Sequence, residues 1–250
     1  MALEIENLRV GYGSSEVLHG VSLGVNGDSV AVLGANGAGK STLLRAISGL
    51  LRPAAGAIRF DGQLLNGLSP ERIVALGISH VPQGRRIFTS LTVRENLTLA
   101  TFTIGDRREG RRRIDEIWSL FPRLRVAESR KGSALSGGEQ QMLAIARGLV
   151  MPSRLLMLDE PSIGLAPRLI EDVASTLANV RDHFHVAVLI VEQNPWLAHT
   201  VAERCVVLSG GRVVASGPMD EFDLGTRLQD LYLRGEEDVA AEGMEEANGS

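Results

Sequence analysis

Gly34-Ala35-Asn36-Gly37-Ala38-Gly39-Lys40-Ser41-Thr42 stands between an apolar run, Ser29 to Leu33, and a stretch from Lys40 to Leu50 whose Leu43, Leu44, Ile47 and Leu50 recur at helical spacing. A strand, a glycine-rich loop and a helix in that order make a phosphate-binding loop. The glycines let the backbone fold tightly enough for its N–H groups to face one concavity, and the helix start adds partial positive charge. Lys40 is placed to reach the β- and γ-phosphates of a nucleoside triphosphate, and the Ser41 hydroxyl to ligate Mg²⁺.

Outward from this loop the chain changes character twice. Leu3 to Val10 and Val17 to Val25 predict strands, and Asn26-Gly27 and Asp61-Gly62 are tight-turn signals, so the early chain is expected to be partly antiparallel. From Leu91 to about Leu149 helix signals dominate: Ile114, Ile117, Trp118 and Phe121 share one face, as do Met142, Ile145, Ala146 and Leu149. Strand and helix then alternate through Leu155–Leu158, a helix on Ile170, Val173, Leu177 and Val180, and Val186–Val191, which argues for a parallel sheet. Cys205–Leu208 and Arg212–Ala215 form a hairpin around Gly210-Gly211.

Composition narrows the classes. At 250 residues, 44% hydrophobic and 22% charged, the chain is globular, and no apolar run approaches the length of a membrane span. Acids near Met1, where an export signal would carry positive charge, and a single cysteine point to the cytoplasm. Residues 235–250 hold six acids and no Lys or Arg; without them 24 acids face 26 bases. The body has no field that would recruit nucleic acid, and the tail is expected to be a solvated, disordered end.

Two further motifs carry chemistry. Leu155-Leu156-Met157-Leu158-Asp159-Glu160 is an apolar strand ending in two acids, which delivers carboxylates to the strand edge where ligands sit in such sheets. Asp159 suits Mg²⁺ through water, and Glu160 suits a general base that polarises an attacking water. Leu135-Ser136-Gly137-Gly138-Glu139-Gln140 opens a helix and so makes a second anion site in a chain with one phosphate loop. Both sites are used if two chains pair head to tail, each capping the other's nucleotide.

With these residues in this order, the chain resembles the nucleotide-binding subunit of an ABC transporter over residues 1–234, with a helical subdomain at about 90–150. The resemblance implies an α/β fold: a P-loop NTPase (RecA-like) core with an antiparallel β subdomain. It implies ATP and Mg²⁺, with Tyr12 stacking on adenine beside Gly34, Ala35, Asn36, Gly37, Ala38, Gly39, Lys40, Ser41 and Thr42. Gln83, in Val81-Pro82-Gln83-Gly84, matches the glutamine joining the Mg²⁺ and γ-phosphate site to the membrane subunit, so Ser41, Gln83 and Asp159 form the metal set. Ser136, Gly137, Gly138, Glu139 and Gln140 match the signature that acts on a partner's ATP. Ser162-Ile163-Gly164-Leu165 resembles the loop crossing the dimer interface. One position departs from the pattern: Val191-Glu192-Gln193-Asn194 places Gln193 where the family usually has a histidine at the γ-phosphate. Gln193 can donate an amide hydrogen bond but carries no charge, so weaker or more partner-dependent hydrolysis is expected.

Within the family, Gly11-Tyr12-Gly13 and the Val81–Phe88 and Val191–Asn194 segments are similar to the smaller ATPase subunit of branched-chain amino acid importers. Gln83 itself is shared with urea and amide importers. Two permease subunits, a second ATPase subunit (heterodimer, with a homodimer as alternative) and an extracytoplasmic solute-binding protein are implied, at the cytoplasmic face of the membrane. The rival from another class, a soluble ABC ATPase of translation or DNA repair, would carry tandem cassettes, a coiled-coil insertion or a basic face; none is present. A GTPase has no use for Leu135–Gln140.

Overall fold

The computed structural model describes residues 2–222, so the acidic stretch 235–250 and the end of the expected 1–234 domain lie outside the described residues. The chain forms two compact units: residues up to 73 with those from 189 onwards, and residues 74–188. The first unit begins β1 (Leu3–Tyr12), β2 (Ser15–Val25), β3 (Val30–Leu33), α1 (Lys40–Ile47), β4 (Ala55–Phe60) and β5 (Gln63–Leu64); α2 (Pro70–Ala75) leads into the second.

β1 shows how alternation builds the antiparallel sheet, whose order is β2-β1-β4-β5. Leu3 and Ile5 are buried, then Leu8 and Val10, so the two-residue period slips between Ile5 and Leu8. A bulge absorbs the slip: Asn7 adopts φ 46°, and its amide donates to Ser22 Oγ at 2.9 Å. Asp61-Gly62 closes the β4–β5 hairpin as its residues predict. Asn26-Gly27 does something else: β2 and β3 lie in different sheets, so this turn carries the chain from one sheet to the other.

The second unit holds β6 (Ile78–Val81), α3 (Val93–Ala100), α4 (Arg107–Leu120), α5 (Pro122–Val126), α6 (Gly137–Val150), β7 (Leu155–Asp159) and α7 (Pro167–Phe184). β6 and β7 pair in parallel from Ile78↔Leu155 to Val81↔Leu158. The apolar stripe of α4 is buried over Ile114, Ile117 and Trp118, and that of α6 over Leu143, Ile145, Ala146 and Leu149, with α3 and α4 packed on α6. Met142 is only half-buried, because the inward stripe of α6 runs one residue over, through Leu143. The Arg94 guanidinium lies 5.8 Å from the centre of the Trp118 ring. At the start of α4, Arg107, Arg108, Arg111 and Arg112 are exposed, with Arg112 paired to Glu109 and Glu116, while Arg113 donates to the Val150 and Met151 carbonyls.

β8 (Ala187–Glu192) then leads into the rest of the first unit, followed by α8 (Pro195–Val201), β9 (Arg204–Ser209) and β10 (Arg212–Pro218). β3 has β8 and β9 as parallel neighbours, and all four of its residues are buried, as a doubly covered parallel strand requires. Cys205 in β9 is core, and burial pushes its thiol up to about 12. Trp196, in the first turn of α8, is half-exposed. No helix among the described residues is long and apolar enough to cross a membrane.

The turn between β9 and β10 fastens the phosphate loop from outside. Gly211 (φ 73°) donates its N–H to the Ala38 carbonyl at 3.2 Å and accepts from the His19 N–H at 2.9 Å. A Cβ there would stand 1.9 Å from the Val17 carbonyl oxygen. Gly211→Ala is therefore expected to cost about 2 kcal/mol or more, through backbone collision and a strained φ. A shift of the denaturant midpoint, with the slope unchanged, measures it.

Candidate functional site

In the first unit the phosphate loop connects the buried end of β3 to α1. Gly39 is the N-cap of α1 at φ 101°, and a Cβ on it would lie 2.6 Å from Leu18 Cδ2, so only glycine serves there. No side chain caps this helix start and its first turn holds no acid, which leaves the leading amides and the positive end of the helix dipole to an anion. Lys40 is buried, and its Nζ donates to the Gly34 and Ala35 carbonyls at 2.8 Å each, which holds the ammonium across the loop.

Tyr12, at the end of β1, is 44% exposed, with its ring available for stacking. Its hydroxyl accepts from Arg45 Nη1 at 2.8 Å and lies 3.5 Å from Thr42 Oγ1, so α1 itself sets the orientation of the ring. Gln193 follows β8 and donates from Nε2 to Oδ1 of Asn36 in the phosphate loop. The first unit therefore brings together Tyr12, Gly34–Thr42 and Gln193.

In the second unit Asp159 ends β7 and Glu160 follows it, both buried in spite of their charge. Glu160 is 6% exposed and takes φ 47°, a left-handed conformation that turns the chain sharply away from the strand. Gln83, two residues past β6, donates from Nε2 to Glu160 Oε2 at 2.9 Å. That contact follows from register: Val81 opposes Leu158, so two more steps along parallel strands bring residue 83 level with residue 160.

Ser136 is the N-cap of α6, with Gly137, Gly138, Glu139 and Gln140 in the first turn. Ser136 Oγ accepts from the Glu139 amide at 3.3 Å, and Glu139 Oε2 accepts from the Ser136 amide at 2.7 Å, a complete capping box. Burial pushes the Glu139 carboxyl upward, but the amide and hydroxyl of Ser136 and the Arg130 guanidinium outweigh it and hold it below the ordinary range.

Three functional neighbours have no motif to announce them. Arg45 anchors Tyr12. Glu192, a buried carboxylate, supports the turn at Gln193. Arg85 donates to Gln140 Oε1 at 3.2 Å and so ties the Gln83 loop to the signature helix. Arg85 and Arg86 both take positive φ (65° and 46°), and the Arg86 carbonyl accepts from Arg147 at 2.6 Å, which fixes the backbone of this link, with Arg86 itself exposed. Beside it a groove of about 560 Å³ is lined by Phe88, Leu99, Phe102, Arg147 and Met151, with Phe102 largely exposed.

The donor set suits Mg²⁺. Among the described residues no cluster of three His, Cys, Asp or Glu could cage a metal. Mg²⁺ needs none: it takes one or two protein oxygens and completes its shell with phosphates and water, and the Ser41 hydroxyl and Asp159 carboxylate are oxygens of that kind.

The ABC transporter family profile matches residues 18–163. The high-affinity branched-chain amino acid transport ATP-binding protein BraG of Pseudomonas aeruginosa is 41% identical over 234 residues, which is 93% of this chain and all of that protein. The high-affinity branched-chain amino acid transport ATP-binding protein BraF of the same organism is 30% identical over 247 residues, 92% of this chain and 97% of that one. Among solved structures, an ATP-binding cassette of an ABC transporter in its ADP conformation superposes with a TM-score of 0.83 at 25% identity, covering 93% of this chain and 99% of its own.

The capping box predicts a separable stability effect. Ser136→Ala is expected to cost about 1 kcal/mol, while Ser136→Asp, itself a good N-cap, stays close to the parent. Because the folded Glu139 carboxyl is depressed, its contribution is complete above the ordinary carboxylate value and lost as pH falls through the folded one. Chemical denaturation of the two variants at neutral pH and in acid checks both statements.

Proposed function

The chain belongs to the ABC transporter family, and on that footing we propose that it is the ATP-hydrolysing subunit of a branched-chain amino acid importer. The observation that carries the ATPase reading is the buried Glu160 carboxylate, held by Gln83 at the end of an apolar strand. The solute reading rests on similarity. BraG is matched over its whole length and more closely than BraF, which is the pattern expected of the smaller of two ATPase subunits.

In this reading the loop amides, the start of α1 and Lys40 hold the phosphates, and Tyr12 stacks on the adenine. Ser41, Gln83 and Asp159 would hold Mg²⁺, which would neutralise charge on the phosphate oxygens. Glu160 polarises the attacking water as general base. Gln193 donates a neutral hydrogen bond to the γ-phosphate. Ser136 through Gln140 act on the nucleotide of a second ATPase subunit, since the capping box engages the amides of Ser136 and Glu139 and not those of Gly137 and Gly138, which face an outside anion.

Two permease subunits complete the membrane part, with a solute-binding protein outside, so the chain sits peripherally at the cytoplasmic face. The groove at Phe88, Leu99 and Phe102 is the apolar surface offered to a permease, adjacent in sequence to Gln83. Binding of ATP then favours a closed pair of ATPase subunits, and that preference becomes a population shift of the permeases.

Two measurements test this. Tagged full-length chain is recovered from solubilised membranes of its source and its companions are identified by mass spectrometry. Two permeases and a second, different ATPase are expected; a soluble homodimer without permeases refutes the transporter reading, and amide or urea permeases would replace the solute. Glu160→Gln is expected to slow ATP turnover in that complex by about a hundredfold or more, with ATP still bound. Turnover within a few-fold of the parent removes Glu160 from the role of base.

A further inference from the structure

Gln193 is fastened at both ends. Glu192, only 1% exposed at the close of β8, accepts the Gln193 amide at 3.0 Å and the Asn194 amide at 3.1 Å on one carboxylate oxygen. Asn194 Oδ1 in turn accepts the amides of Trp196 and Leu197 at 3.0 and 3.2 Å, as the N-cap of α8. The backbone of residues 192–194 is thus held by a buried carboxyl group on one side and by a helix start on the other. From the Gln193 side chain, Nε2 donates to Asn36 Oδ1.

We propose that Asn36 is a positioning residue: by accepting an N–H of the Gln193 amide, it holds that amide beside the phosphate loop for the γ-phosphate. An imidazole is a rigid ring that can also carry charge, so it needs little guidance near an anion. A glutamine amide has three torsions and no net charge, so its value as a donor depends on being held in one geometry before the phosphate arrives. Asn36 belongs to the loop that wraps the phosphates, which makes it a suitable reference point for the Gln193 amide. The inference rests on the reading of Gln193 as the γ-phosphate donor.

The test uses nucleotide affinity of the full-length chain with Mg²⁺ in a Glu160→Gln background, where slow hydrolysis permits equilibrium binding of ATP. Asn36→Ala, Gln193→Ala and the double variant are compared for ATP and for ADP. Each single substitution is expected to weaken ATP by about three- to tenfold, the double by no more than the larger single, and to weaken ADP several-fold less than ATP because ADP has no γ-phosphate. Additive losses, or equal losses for ATP and ADP in Asn36→Ala, overturn the proposal, since Asn36 would then act on the phosphates or the loop directly. If Gln193→Ala weakens ATP and Asn36→Ala does not, positioning by Asn36 is wrong while Gln193 keeps its role. If Gln193→Ala leaves ATP binding intact, the reading of Gln193 fails and the inference with it. A parent chain that binds neither nucleotide sinks the ATPase reading itself.

Discussion

The leading amides of an α-helix have no partner within it, and no side chain caps the start of α1. At four other helices a side chain does so: Thr92 caps α3, Asp106 caps α4, Ser136 caps α6 and Asn194 caps α8. At α1 the cap is a glycine without a side-chain bond. In the proposed reading a phosphate group takes that place, with charge of the sign that the helix start favours. The rest of the first unit can be understood as support for that start of α1. β3 brings the chain to it between two parallel neighbours, Leu18 leaves no space for a side chain on Gly39, and Gly211 ties the loop at Ala38 from outside.

α6 solves the opposite problem. Its start is satisfied internally by Ser136 and Glu139, so it folds without waiting for a ligand, yet Gly137 and Gly138 keep side chains away from its approach. The same serine that stabilises the helix is the one assigned to a partner's phosphate. Stability and recognition therefore share an atom, and they part company only in a substitution such as aspartate, which keeps the cap and repels an anion.

What could be read in the sequence were the parts whose chemistry is local. Gly34–Thr42, Leu155–Glu160 and Ser136–Gln140 each carry strand, loop and helix start within a few consecutive residues, so pattern alone places them. The hidden parts act across distance in the chain. Arg45 meets Tyr12 from 33 residues away, Arg85 meets Gln140 from 55, and Gln193 meets Asn36 from 157. No local signal distinguishes these arginines from solvated ones. β6 escaped notice because Ser79 and His80 interrupt its four residues, leaving no apolar run to see. Asn26-Gly27 marks a turn correctly, but which sheet receives the next strand is a tertiary matter: β3 is buried throughout and needs neighbours on both sides, which the antiparallel sheet does not offer.

The chain has two tryptophans, and the fold gives them different surroundings. Trp118 is enclosed in the helices of the second unit with a guanidinium nearby; Trp196 sits half in water on α8 of the first, three residues past Gln193. An indole in apolar packing emits at shorter wavelength than one in contact with solvent. Each unit therefore carries an intrinsic light source of its own colour, one sensing the packing of the helices and the other the turn beside the phosphate loop.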